Sequence, residues 1–348
     1  MRARLANPWR GQGLPGLAPL PIATSAGVSS LLERCPAHAE TPLLDLPALA
    51  RRAGVAEVHA KDERDRMGLG SFKALGAAHA IARAAREAVV GEDWPHALAG
   101  WIFVTASAGN HGLSVAAGAR VFGARAVIYL SETVPDSFAS RLAGMGAEPV
   151  REGATYEDSM AAAEQAAERY GWVLLSDSSW PGYTEWPRRV MEGYLQIAAE
   201  TARQLRVPPT HILLQAGVGG MAAALAANFR DAWGDAPRII VVEPQAAPAL
   251  IESIRAGRIV TTRGPVSAMG RLDCKTPSMI ALAGLAWDAD LFVTLTEKEV
   301  AGAVASLAEI GLVTSPSGGA GLAALLSGLD LGSDARVLCF VSEGAVDG

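Results

Sequence analysis

"HILLQAGVGGMAAALAANFRDAWGDAPRIIVVEP", residues 211–244, is the stretch on which the fold class turns. An apolar run ends in a glycine turn, the turn opens an alanine-rich helical run, and "RIIVVEP" supplies a second apolar strand. Strand, covering helix and strand in this order describe a right-handed βαβ crossover between parallel strands. Gly217, Gly219 and Gly220 let the backbone approach an anion, and the positive end of the helix dipole favours phosphate there. A rival reading uses the same residues. Gly217, Gly219 and Ala222 also satisfy G-x-G-x-x-A, and Glu243 closes the next strand, where a dinucleotide fold keeps its ribose-binding acid. Taken alone, the segment reads as part of a nicotinamide dehydrogenase. Tight helix–strand packing through glycine is a third reading.

The alternation extends in both directions. "EVHAKDE" (57–63) reads as a strand, and "SFKALGAAHAIARAAREAV" (71–89) as a helix with Ser71 as its N-cap. "WIFVTASAGNHG" (101–112) is a buried strand running into a polar turn, followed by the helix "LSVAAGARVFG" (113–123) and the strand "RAVIYL" (125–130). "SFASRLAGMGAEPV" repeats the helix-to-strand step, "TYEDSMAAAEQAAERYG" is an amphipathic helix, and "WVLLSDSS" (172–179) is another strand. "EWPRRVMEGYLQIAAETARQL" leads into the opening unit, and "DLFVTLT" and "RVLCFVSEG" complete the set. Nine or so strands predict an α/β protein with two doubly wound, mostly parallel open sheets, covered on both faces.

A chain of 348 residues, half of them hydrophobic, suits one large or two medium globular domains. Its net charge of −6 gives no reason to expect nucleic acid or an anionic membrane as a partner. The N-terminal segment is broken by Arg, Asn, Gly and Pro and lacks the apolar core of a signal peptide. No run approaches the ~20 apolar residues of a membrane span. The three cysteines, Cys35, Cys274 and Cys339, show no disulfide framework or zinc spacing, and point to a reducing cytoplasm.

Ligands of open α/β sheets sit beyond the C-terminal ends of strands. Four turns there are rich in glycine or polar residues: around Lys73, 105–112, 215–220 and 342–344. Lys73 is one of only four lysines in the chain. A cation at a helix N-terminus is mildly unfavourable, by about 0.3–1 kcal/mol. The helix that follows is nearly all apolar, which turns Lys73 inward or into a cleft. A desolvated lysine has a lowered pKa and can form a Schiff base with an aldehyde cofactor. A plain surface lysine is the competing reading. Phe72 beside it is either core or a ring that brackets a flat ligand. In "TASAGNHG" (105–112), Ser107, Asn110 and His111 stand with Gly109 and Gly112 directly before a helix. This is either a capped turn or a loop of N–H groups that binds a carboxylate. Ser342 ends the last strand, either capping a turn or offering a hydroxyl to a ligand nitrogen.

Taken in order, "SFK", "SAGNHG", "GVGG" and "SEG" resemble the fold-type II pyridoxal-phosphate enzymes, across roughly residues 40–348. No single motif is decisive; the four together outweigh the dinucleotide reading. "KDERDRMGLGSFKALG" (61–76), "SDSSWPGYTEWPRRVMEGY" (176–194) and "MGRLDCKTPS" (269–278) look like diaminopropionate ammonia-lyase in particular. Two positions depart from that lyase. It typically has Asn-Ala-Phe-Lys where this chain has Gly70-Ser71-Phe72-Lys73, and an aspartate, tied to D-isomer activity, where this chain has Ala108.

The resemblance implies a set of expectations. Pyridoxal 5'-phosphate lies in the cleft between a large domain (1–91 and 184–348) and a smaller substrate-side domain (92–183). Lys73 holds the cofactor. Phe72 packs near its ring, Asn110 meets its phenolic oxygen, and Gly217, Val218, Gly219 and Gly220 bind its phosphate. Ser342 faces the pyridine nitrogen. Ser107, Ala108, Gly109 and His111 hold a substrate carboxylate. Lys73 or Asp177 removes the α-proton, although "SDSS" equally suits a turn cap. Asp273 and Cys274 border the ligand or stabilise a loop. Ser315 stands where many dehydratases have an acid, so no metal site is carried over. The reaction implied is α,β-elimination of a β-substituted L-amino acid, in a cytoplasmic homodimer. The alternatives are a serine or threonine dehydratase, a β-replacement synthase, a non-catalytic amino-acid or phosphate sensor, and the nicotinamide dehydrogenase.

Overall fold

The short apolar runs that end in glycine or serine turns become parallel strands in the computed structural model, which describes residues 3–345. The strands are β1 (Arg4–Ala6), β2 (Leu43–Asp45), β3 (Glu57–Asp62), β4 (Ile102–Ala106), β5 (Arg125–Leu130), β6 (Glu148–Arg151), β7 (Val173–Leu174), β8 (His211–Gln215), β9 (Arg238–Pro244), β10 (Leu291–Leu295) and β11 (Arg336–Val341). The helices are α1 (Val28–Leu32), α2 (Pro47–Ala53), α3 (Lys73–Ala88), α4 (Asn110–Val121), α5 (Asp136–Gly144), α6 (Tyr156–Tyr170), α7 (Glu185–Gln204), α8 (Gly220–Trp233), α9 (Ala249–Ala256), α10 (Met279–Asp288), α11 (Glu297–Glu309) and α12 (Ala320–Leu326).

One sheet has seven strands in the order β1-β10-β9-β8-β11-β3-β2, and the other has four in the order β6-β5-β4-β7. The α/β class with two open, mostly parallel sheets is therefore as expected. Only β1 and β2, at the two edges of the larger sheet, run antiparallel. Both are three residues long, too short to show a period, which is why nine or so strands are legible while the described residues form eleven. The inner strands read as unbroken apolar runs because helices cover both faces. In β10, all five residues are buried.

Other boundaries moved for local reasons. The strand expected over 172–179 lasts only for Val173–Leu174. Tyr183 Oη then donates to the Leu174 carbonyl and accepts from the Ser176 N–H, folding the chain away from the sheet. The helix expected at 113 begins at Asn110, and that after the lysine turn begins at Lys73. Ser71 is thus not the residue flanking the helix, but its hydroxyl still accepts the Lys73 N–H at 3.3 Å.

Two features fix the lysine turn. Gly76 and Gly193 let α3 and α7 approach closely, since a Cβ on Gly76 would lie 2.7 Å from the Tyr194 ring and one on Gly193 would strike the Leu75 carbonyl. Behind the turn lies a fully buried charge cluster. Glu200 on α7 meets Lys61 and Arg66, each at 2.7 Å, and Arg66 also meets Glu63 at 2.7 Å. Burial raises the Glu200 carboxyl, but hydrogen bonds and charge from Arg66, with Lys61, outweigh it and hold the group at about 2. Its share of stability is complete above the ordinary carboxylate range and is lost as pH falls towards 2. Thr41 joins through Glu63 at 2.6 Å. Two cations and two anions balance, so the segment 61–66 is held at both ends of a charge-neutral network.

Candidate active site

In the larger sheet, β8, β11 and β3 are adjacent. Their C-terminal ends deliver the Gly217–Gly220 turn, Ser342 and Lys73 to one place. In the smaller sheet, β4 and β7 are neighbours, and their ends deliver the 107–111 loop and Asp177. The two sets face each other. Lys73 Nζ forms a hydrogen-bonded ion pair with Asp177 Oδ2. Asn110 Nδ2 donates to Glu343 Oε2 at 2.7 Å, and Arg271 Nη1 donates to the Ala108 carbonyl at 3.3 Å.

The ion pair corrects one expectation. Burial alone would lower the Lys73 pKa, but the Asp177 carboxylate outweighs it, and the pKa is raised. Burial likewise pushes Asp177 up, but the Lys73 charge and its hydrogen bond hold it well below the usual carboxylate range. Asp177 is therefore no simple turn cap. An interlock of serines fixes its segment: Ser179 Oγ and Ser278 Oγ lie 2.7 Å apart, and the Ser278 N–H donates to the Val218 carbonyl at 3.0 Å. That chain of bonds ties the Asp177 segment to the Gly217–Gly220 turn.

That turn has the open N–H geometry that an anion fits. Gly219 has φ +97° and precedes the first residue of α8. The N–H groups of Gly217 and Gly219 have no protein acceptor among the described residues. A Cβ on Gly217 would lie 3.0 Å from Cys274 Sγ and 3.1 Å from the Arg271 carbonyl. Cys274 therefore borders the cradle, with its thiol pushed up to about 11 by burial. Asp273 serves its loop, pairing with Lys275 at 2.5 Å and accepting the Ser267 N–H.

Ser342 is 4% exposed, and its hydroxyl accepts Gln215 Nε2 at 3.1 Å. The same amide nitrogen also donates to the Gly318 and Phe340 carbonyls, at 2.9 and 3.0 Å, and the Ser342 hydroxyl has a hydrogen of its own to donate. Phe72 is half-buried, with Lys73 Nζ 5.7 Å from its ring centroid. Asn110 spends one N–H on Glu343 and keeps a second. Burial raises the Glu343 carboxyl; Ser315 Oγ donates to it at 2.5 Å.

In the 107–111 loop, Ser107 Oγ accepts the N–H groups of Gly109 at 3.3 Å and Gly112 at 3.0 Å, so it caps α4. His111 Nε2 donates to the Leu175 carbonyl at 2.8 Å. Burial lowers the pKa of this imidazole, and its buried Nδ1 has no protein partner among the described residues. A Cβ on Gly109 would lie 2.6 Å from Arg271 Nη1, so the guanidinium packs directly over the loop at this glycine.

Four residues at the site escaped sequence reasoning: Arg271, Glu343, Gln215 and Tyr194. Glu343 stood within "SEG", so its motif was visible but not its partner Asn110. The dinucleotide reading fails at Glu243. Its carboxylate accepts the Leu250 and Ile251 N–H groups at 2.7 and 2.8 Å, capping α9, and it is 1% exposed. Burial pushes it up to about 8 despite those bonds. It is not placed to meet a ribose.

Comparison with known proteins gives a consistent picture. The family described as "Pyridoxal-phosphate dependent enzyme" matches residues 35–343. Diaminopropionate ammonia-lyase of Escherichia coli strain K12 is 32% identical over 337 residues, 88% of this chain and 85% of that protein. The serine dehydratase-like protein of Rattus norvegicus is 30% identical over 296 residues, 84% of each. The crystal structure of the Escherichia coli diaminopropionate ammonia lyase with an aminoacrylate-PLP azomethine reaction intermediate superposes with a TM-score of 0.88. It is 29% identical, over all of this chain and 94% of that one. Among the described residues, no helix is long and apolar enough to cross a membrane.

Proposed function

The chain belongs to the pyridoxal-phosphate dependent enzyme family, and we propose that it is the member that carries out α,β-elimination on a β-substituted L-amino acid of the 2,3-diaminopropionate type. The products are a 2-oxo acid and ammonia. The observation that carries this reading is the Lys73–Asp177 pair, facing an N–H cradle on one side and the 107–111 loop on the other.

The residues present fit the cofactor. The Lys73 amine suits its aldehyde, and the unpaired N–H groups at the start of α8 suit its phosphate. Phe72 and the second N–H of Asn110 suit its ring face and phenolic oxygen. The Ser342 hydroxyl, which has one hydrogen to donate, suits an unprotonated pyridine nitrogen. When bound, the cofactor supplies the electron sink that makes an amino acid's α-proton acidic, and a neutral hydroxyl at its nitrogen keeps that sink weak. A weak sink suits elimination, in which charge departs at once with the β-substituent.

The chain's own groups account for the proton inventory. The Asn110 and His111 N–H groups, which have no protein acceptor among the described residues, and the Arg271 guanidinium orient the substrate carboxylate, which fixes the Cα–H bond towards Lys73. Lys73 Nζ, once free as the amine, takes the α-proton. The resulting ammonium is stabilised by Asp177, the carboxylate it meets in the structure. A β-amine must leave protonated, and the Lys73 ammonium is the donor for it. A dehydratase acting on hydroxy amino acids is the second reading, favoured by Ala108, which gives the loop no acidic side chain.

The test compares L- and D-2,3-diaminopropionate, L-serine, L-threonine and the 3-hydroxyaspartates, by release of ammonia and oxo acid. The highest kcat/KM is expected with the L-diamine, exceeding the D-isomer by roughly tenfold or more. Equal rates on the two isomers overturn the inference from Ala108. No release from any of these compounds overturns the eliminase reading.

A further inference from the structure

Tyr194 is a buried tyrosine with an orphaned hydroxyl. It lies on α7 with 2% of its surface exposed, and its Oη has no protein hydrogen-bond partner among the described residues. Leaving a hydroxyl unmade in an interior costs roughly 1–3 kcal/mol, so its position calls for an explanation. Packing alone does not supply one, because a phenylalanine would fill the same space.

Its surroundings do. The ring sits edge-on to Phe72, with centroids 5.0 Å apart. A Cβ on Gly76, in the first turn of α3, would lie 2.8 Å from the hydroxyl oxygen, and one on Gly220, the first residue of α8, would lie 3.8 Å from the ring. The phenol thus fills the gap between the N-termini of α3 and α8. The first carries Lys73 and the second carries the glycine cradle. Lys73 and Asp177 are the charged groups that act on the phenol. Burial raises its pKa, so it remains a proton donor through the neutral range.

We propose that the Tyr194 hydroxyl is part of the cofactor site and donates a hydrogen bond to the phosphate group held at the start of α8. A protonated phenol beside a phosphate dianion makes a charge-assisted bond, and the orphan is satisfied only when the cofactor is bound. Gly76 is glycine because the ring occupies the place of its side chain. The assignment rests on the cofactor family and is independent of which amino acid is the substrate.

The test uses cofactor-free protein titrated with pyridoxal 5'-phosphate and, separately, with pyridoxal, which lacks the phosphate. Binding is followed by the visible absorbance that the lysine adduct produces. Tyr194→Phe is expected to weaken the phosphorylated form about ten- to a hundredfold, and to change pyridoxal binding by less than about twofold. Equal weakening of both ligands overturns the assignment, because the hydroxyl would then act on Lys73 or the ring. Unchanged binding of both also overturns it. Thermal unfolding of the cofactor-free proteins supplies the second readout. Loss of an unpartnered hydroxyl leaves the variant at least as stable as wild type. A marked drop in the cofactor-free midpoint would mean that the hydroxyl serves the protein alone.

Discussion

Lys73→Ala is expected to be a folded, colourless protein whose elimination rate is lower by about 10³-fold or more. The size of the effect follows from the absence of a substitute. Lys61 is fully buried and paired with Glu200. Lys275 is tied to Asp273 and to the carbonyls of Ala246 and Pro265. Lys298 lies in the first turn of α11, outside the site. No other lysine can therefore carry the cofactor or take the proton. The fold should survive, because Lys73 contributes an ion pair at the site rather than packing in the core. The checks are the visible spectrum, the ammonia assay and the unfolding midpoint. A variant that keeps the visible band and a tenth of the activity contradicts the role assigned to Lys73.

Asp177→Asn is expected to lower kcat by about 10²–10⁴-fold while accelerating cofactor capture at neutral pH. The two effects have one origin. The Asp177 charge is what holds the Lys73 pKa up against burial. Replacing the carboxylate by an amide removes that charge and leaves the desolvation, so the Lys73 pKa falls below its ordinary value. More of the lysine is then the free amine at pH 7, and it captures an aldehyde faster. The same change removes the partner that stabilises the ammonium during turnover. Stopped-flow mixing of cofactor with the cofactor-free protein separates this from a structural role. Local disorder at 176–179 would slow both capture and turnover. Opposite changes are the signature of the pair.

How far the sequence carried is seen residue by residue. Lys73, the Gly217–Gly220 turn and Ser342 follow three apolar strands, and the rule that ligands lie beyond strand C-termini was enough to group them. The adjacency of those strands, β8-β11-β3, was not legible, because sheet order depends on long-range pairing. Tyr194 was invisible for another reason. It stands mid-helix on the apolar face of α7, where a tyrosine reads as core, and only the missing partner of its hydroxyl marks it. Arg271 came from a loop whose course over Gly109 no local pattern dictates. Glu243 shows the opposite failure. A motif matched at Gly217, Gly219 and Ala222 predicted a ribose acid, and the structure spends that acid on a helix N-terminus. The lysine turn misled in sign: a helix full of alanine implied a desolvated, low-pKa amine, and an aspartate 104 positions away reversed it.

Elimination of a β-amine leaves a stoichiometric signature. The measurement that tests it most directly is the ratio of ammonia to oxo acid released from L-2,3-diaminopropionate by the cofactor-loaded protein. Both amines are expected to leave, so ammonia appears at twice the amount of oxo acid, and both products vanish in Lys73→Ala. Equal amounts of ammonia and oxo acid from L-serine, with neither product from the diamine, would contradict it.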